Sequence, residues 1–158
     1  MALDTAANTR LARLDEILSG HLALEGPLLP ILHAVQAEFG CIPQEFLPRI
    51  ADRLNLTRAE VHGVMSFYHD FREQPAGRSV VKLCRAEACK AMGADALAAH
   101  AEAALGVAMG DTRADGAVTL EPVYCLGLCA CAPAALVDGE VIGRVDAARI
   151  DSLAAEVT

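Results

Sequence analysis

The spacing of apolar residues changes partway along this chain. In the first half it is helical. Leu11, Leu14, Ile17 and Leu18 recur every three or four residues, the period of one buried helix face. Pro27 suits the start of a second helix, with Leu28, Ile31, Leu32, Val35 and Phe39 along one side and Gly40 as its stop. A third helix is expected from near Phe46–Pro48 to Leu54, because Pro48 fits only a first turn, where no intrahelical N–H is lost. Thr57 and Glu60 form a T-x-x-E capping box that opens a fourth helix, with Val61, Val64, Met65 and Tyr68 on one face. Together these stripes predict the core of a helical bundle.

Glu73-Gln74-Pro75-Ala76-Gly77 breaks the pattern and reads as a linker. Beyond it, Ser79-Val80-Val81-Lys82-Leu83 is a short strand ending at Cys84. An alanine-rich helix is expected from about Met92 to Leu105, with Gly106 as its stop. Asp115-Gly116 marks a turn before a second strand, Ala117 to Tyr124, which Pro122 confines to a sheet edge or a bulge. Asp138-Gly139 between Ala135-Leu136-Val137 and Glu140-Val141-Ile142 is a strong hairpin signal. Asp146 can cap a last helix through Ile150 and Leu153. The order β-α-β-β-β-α predicts a small α/β sandwich of thioredoxin-like size. The expected class is therefore α+β, with a helical domain over 1–76 and an α/β domain over 77–158.

Composition narrows the function. The 158 residues carry 13 basic and 21 acidic side chains, a net charge of −8. That balance argues against nucleic acid as a partner, since phosphate binding needs a basic footprint. Apolar residues make up 54% and charged ones 22%, the balance of a folded chain rather than a disordered one. Asp4, Arg10, Arg13, Asp15 and Glu16 interrupt any apolar signal region, and no run approaches the ~18 apolar residues of a membrane helix. A cytoplasmic chain with no direct membrane insertion is expected. In that reducing compartment, six cysteines point to metal or redox chemistry before structural disulfides.

Cys84 and Cys89 are separated by four residues, Cys125 and Cys129 by three, with thirty-five residues between the pairs. Each pair sits where a predicted strand runs into a loop. In open α/β sheets ligands gather at the carboxyl ends of strands, so the pairs can converge. Four thiolates hold zinc or an iron–sulfur cluster. Neither pair is the C-x2-C knuckle usual for zinc, and the wider loops suit a two-iron rhomb that takes one pair per iron. Spacing thus favours iron–sulfur, with a zinc-stabilised interaction module as the alternative. A thiol–disulfide oxidoreductase is weakened by the lack of a C-x-x-C at a helix start. Lys82, Arg85 and Lys90 flank the first pair and would favour thiolates, unless they are ordinary surface charges. Gly127 allows a tight loop with backbone N–H groups turned toward sulfur. Cys41 reads as a buried inert thiol. Cys131, two residues from Cys129, suits an apolar wall position but is in principle a competing ligand.

These motifs resemble the thioredoxin-like [2Fe–2S] subunit family of NADH:quinone oxidoreductase, the 24-kDa-type subunit. The likeness rests on the C-x4-C and CLGLCACAP segments and on FGCIPQEFLPRIADRLNLTRAEVHGVMSFYHDF, and runs from about Leu28 to the C-terminus. The resemblance implies a thioredoxin-like fold, one [2Fe–2S] cluster, and Cys84, Cys89, Cys125 and Cys129 as its ligands. Cys131 falls where the family commonly has an apolar residue, and Cys41 replaces an often aromatic one. Within the family, Cys84-Arg-Ala-Glu-Ala-Cys89-Lys-Ala-Met-Gly93 is similar to the gamma subunit of soluble, molybdenum-containing, NAD-dependent formate dehydrogenases.

The resemblance further implies single-electron exchange with the FMN of an NAD(H)-binding flavoprotein partner. A molybdenum-containing formate dehydrogenase catalytic subunit would complete the complex, with the equivalent subunit of complex I or of an NAD-linked hydrogenase as the alternative. The helical half would be a docking arm for the flavoprotein, or a scaffold covering the sheet. No G-x-G-x-x-G follows a strand and no Walker-type loop is present, so FMN and NAD are expected on the partner. His21, His33, His62, His69 and His100 lack a nucleophile or carboxylate arranged around them in sequence, although His62 and His69 could share a helix face. Glu87 is expected to be an outer-shell or docking charge. No catalytic residue is assigned: the chain is expected to be a non-catalytic electron-transfer subunit of an oxidoreductase.

Overall fold

The computed structural model describes residues 2–157, with side chains from residue 8 onward. It divides into two compact units, Met1–Pro75 and Ala76–Thr158.

The first unit is all helical: α1 (Ala2–His21), α2 (Leu28–Phe39), α3 (Leu47–Leu54) and α4 (Arg58–Phe67). Its start and stop signals act locally, as the sequence predicts. Gly40 takes φ 75° after α2, a left-handed turn that favours glycine, and returns its N–H to Gln36 O. Pro48 lies in the first turn of α3. Thr57 and Glu60 form the reciprocal capping box, Thr57 Oγ1 accepting from Glu60 N–H and Glu60 accepting from Thr57 N–H. The apolar stripes meet in one core around Leu14, Leu18, Ile31, Leu32, Phe46 and Ile50, all fully buried. The Gln36 side chain bridges the chain beyond α4, donating to Asp70 O and accepting from Arg72 N–H, both at 2.7 Å. Two expectations change here. α4 ends at Phe67, so Tyr68 is a half-exposed cap residue rather than part of the buried face, and His69 shares no helix with His62.

The second unit holds a four-stranded sheet of β1 (Ser79–Cys84), β2 (Val118–Val123), β3 (Ala134–Val137) and β4 (Glu140–Gly143), in the order β2-β1-β3-β4. β1 pairs parallel with β2 and antiparallel with β3, and β3 with β4. Pro122 therefore stands on an edge strand, where a missing N–H costs no ladder bond. The β3–β4 turn puts Asp138 at φ 50° and Gly139 at φ 89°, the two positive angles that an Asp-Gly hairpin supplies. Val81, Leu83, Val118, Leu120 and Ala135 face one core with residues of α6 (Ala94–Leu105) and α7 (Ala147–Glu156). Asp146 caps α7 by accepting from Arg149 N–H.

The crossover from β1 to β2 differs from expectation. The helix expected from Met92 starts at Ala94, because Gly93, at φ 91°, separates it from an extra turn of helix, α5 (Glu87–Ala91). A five-residue helix is too short to show a period. Arg113 ties this unit together at its far end, donating to Leu105 O, Val157 O and Asp115. No helix among the described residues is long and apolar enough to cross a membrane.

Two outcomes test this packing. Thr57→Ala should cost about 1 kcal/mol of stability, read by urea denaturation, with Thr57→Ser restoring most of it. The Arg113 guanidinium and the Ala117 N–H hold the Asp115 carboxyl at about 2, below its ordinary 3.8. Asp115 thus contributes stability above pH ~4 that is lost as the pH falls toward ~2. Asp115→Asn should lower the melting temperature at pH 7 and flatten its fall across that window.

Candidate metal centre

Parallel pairing aligns Cys84 with Val123, so β1 and β2 end side by side. Cys84 is the last residue of β1, and Cys125 follows β2 by two residues. Cys89 lies in α5, and Cys129 opens a single turn of 3-10 helix, Cys129–Cys131. All four predicted ligands thus gather at one end of the sheet, and they come as two pairs. Cys84 and Cys89 are 3% and 2% exposed and share a thiol hydrogen bond. Cys125 and Cys129 are exposed, their Sγ atoms 3.9 Å apart. Among the described residues, no three His, Cys, Asp or Glu side chains close on a single ion.

Backbone N–H groups converge on these sulfurs. Burial pushes the Cys84 thiol up, but hydrogen bonds from the N–H groups of Ala86, Cys125 and Leu126, together with the Cys89 thiol, hold it below its ordinary value. The donors come from both ligand loops, so Cys84 fastens one loop to the other. Cys89 moves the opposite way, raised by burial and by its bond to Cys84, although Ala134 N–H donates to it. Cys129 is raised by its hydrogen bond to Cys125. Gly127, at φ 78°, donates its N–H to Cys125 Sγ at 3.4 Å, as the loop's glycine predicts. Unforeseen in the sequence, Cys125 itself takes φ 81°, a conformation rare outside glycine.

Small side chains line the buried pair: Ala94, Ala132 and Ala134 are buried around Cys84 and Cys89, with Leu126 and Leu128 against them. Gly143 packs against the Cys129–Cys131 turn. A Cβ there would stand 2.8 Å from Cys131 Cβ and 3.1 Å from Cys131 O. Cys131 is partly buried at the end of the Cys129 turn, and Cys41 is buried in the other unit, its thiol pushed up by desolvation.

Two of the basic residues beside the first ligand pair meet carboxylates. Lys82 pairs with Glu121 at 3.4 Å and Arg85 with Asp95 at 2.7 Å, so carboxylates compensate both, and Lys90 is exposed. Glu87 is exposed in the first turn of α5. Histidine–carboxylate pairs that sequence order concealed also emerge: His100 Nε2 lies 2.7 Å from Asp151, joining α6 to α7, and His62 lies 3.8 Å from Glu73.

A sheet of this topology with cysteine pairs at its carboxyl end defines a thioredoxin-like ferredoxin. The chain belongs to the thioredoxin-like [2Fe-2S] ferredoxin family, whose profile matches residues 14–158. It is 39% identical over 126 residues to an E-type component of the NADH-quinone oxidoreductase of Rhizobium meliloti, covering 80% of this chain and 75% of that one. It is 34% identical over 132 residues to the HndA component of the NADP-reducing hydrogenase of Solidesulfovibrio fructosivorans, covering 84% and 77%. Among solved structures, the air-oxidised NAD+-reducing [NiFe]-hydrogenase superposes with a TM-score of 0.70 at 31% identity. That match takes in 82% of this chain but only 22% of the hydrogenase chain.

The residues fit the family's cluster. Four thiols in two pairs would supply its soft donors, and N–H groups directed at sulfur are the kind of bond that tunes such a group. Gly143→Ala should force the Cys129–Cys131 turn away. It should cost about 1–3 kcal/mol by denaturation and speed labelling of the thiols by a disulfide reagent. An unchanged midpoint and labelling rate would mean that the turn yields freely.

Proposed function

We propose that Cys84, Cys89, Cys125 and Cys129 hold one [2Fe–2S] cluster and that this chain exchanges single electrons with the FMN of an NAD(H)-binding partner subunit. The support is the meeting of two cysteine pairs at the shared end of β1 and β2, under N–H donors from both loops. Such a cluster, when bound, supplies reversible one-electron chemistry. The chain's own groups do the rest. The thiolates anchor it, the N–H groups of Ala86, Leu126 and Gly127 offset negative charge on sulfur, and the alanine-lined wall keeps water from Cys84 and Cys89. Nothing in this role asks for a catalytic residue. The helical domain, 1–76, serves as a docking arm and 77–158 as the cluster domain of a cytoplasmic complex.

The parent complex in this reading is an NAD-dependent formate dehydrogenase, in which a molybdenum subunit oxidises formate to CO2 while NAD+ is reduced. The Cys84–Gly93 loop, CRAEACKAMG, favours it. The relatives from NADH-quinone oxidoreductase and from an NADP-reducing hydrogenase support the equivalent place in those complexes equally well.

Serine replacements read by visible absorption and by EPR after dithionite reduction test the ligand set. Loss of Cys84, Cys89, Cys125 or Cys129 should abolish the signal, whereas Cys41→Ser and Cys131→Ser should keep it. A colourless, EPR-silent protein with stoichiometric zinc contradicts the proposal. So does a Cys131→Ser variant that loses the cluster while Cys129→Ser keeps it. Molybdenum in the co-purified complex supports formate dehydrogenase; nickel or membrane subunits contradict it.

A further inference from the structure

The two thiol pairs differ in their access to solvent. Cys84 and Cys89 lie behind Ala94, Ala132 and Ala134, whereas Cys125 and Cys129 stand at the surface. Electron tunnelling falls off exponentially with distance, so a carrier in a second protein gains most by approaching the exposed sulfurs. The side chains beside the ligand loops favour that approach. Tyr124, next to Cys125, is 74% exposed, and Met92, three residues after Cys89, is 63% exposed. They are the most exposed large apolar side chains of this unit, ahead of Val141 on β4 at 47%. Aromatic residues and methionine are enriched where proteins dock, and exposed apolar groups beside a functional loop mark contact sites. The loop also carries backbone strain. Cys125 occupies the left-handed region without being glycine, the kind of strain that persists at functional sites.

We propose that electrons cross the protein surface at the Cys125–Cys129 end, and that Tyr124 and Met92 are the contact residues on which the flavin-bearing partner seats. This rests on the ligand assignment above and adds its direction: the buried pair is the inner anchor and the exposed pair the outlet. Tyr124 and Met92 position the carrier and ligate nothing.

The test uses the full chain, reduced anaerobically with half a molar equivalent of dithionite, one electron per chain, and ferricyanide as the probe. Each ferricyanide trianion takes one electron from one protein molecule and becomes ferrocyanide, with no proton exchanged, and stopped-flow absorbance follows the rate. At low ionic strength Tyr124→Glu should slow this reaction about three- to tenfold, because a new negative charge stands where the anion approaches. Tyr124→Lys should speed it by a similar factor, and both effects should fade in molar salt. Val141→Glu, on β4, should slow it less than Tyr124→Glu does. Should Tyr124→Glu lose iron, Met92→Glu carries the same test from the other ligand loop. Slowing by Val141→Glu equal to that at Tyr124, or no effect at both Tyr124 and Met92, overturns the proposal. A protein that never develops a visible chromophore overturns the ligand assignment itself, and this proposal with it.

Discussion

The parallel pairing of β1 with β2 is the constraint on which the site depends. Parallel strands need a long crossover, and here α5 and α6 supply it. That crossover is why thirty-five residues separate the cysteine pairs in sequence although they meet in space. Strands running in one direction end on one side, so Cys84 and the loop beginning at Cys125 emerge together. The N–H groups of Cys125 and Leu126 then reach Cys84, and the meeting of the loops becomes a bonded contact. An antiparallel pair would have placed the two loops at opposite ends of the sheet.

The electrostatics of the site follow from this backbone arrangement more than from charged side chains. Lys82 and Arg85 lie beside the first ligand loop, but Glu121 and Asp95 answer them. Cys84 is held toward its anion by N–H dipoles despite burial that opposes it. Fixed amide dipoles need no counter-charge of their own. They suit an acidic chain that brings two cysteine pairs close together.

Much of this was legible in the sequence because the signals were local. Gly40, Pro48, the Thr57–Glu60 box, the Asp138-Gly139 turn and the Asp146 cap each act within a few residues, and each does so in the structure. The edge position of β2 followed from one proline. What stayed hidden was short or long-range. α5 is a single turn without a period, and Gly93, which separates it from α6, reads in sequence equally as an isolated glycine inside one helix. The pairing of His100 with Asp151 joins residues that only the packing of α6 on α7 brings together. The unequal exposure of the two thiol pairs likewise has no signature in their spacing, because it depends on which alanines of other segments cover them. The left-handed backbone at Cys125 also runs against expectation, since the glycine at 127 is the residue suited to the loop's turn.

The number of irons between the thiol pairs decides whether the proposed cluster is present. Purification without air, followed by quantitation of iron and acid-labile sulfide, counts them directly. The account predicts two irons and two sulfides per chain, with Mössbauer spectra of the reduced protein showing one ferric and one ferrous site. One metal ion per chain without sulfide, bound by all four thiolates as zinc would be, contradicts it.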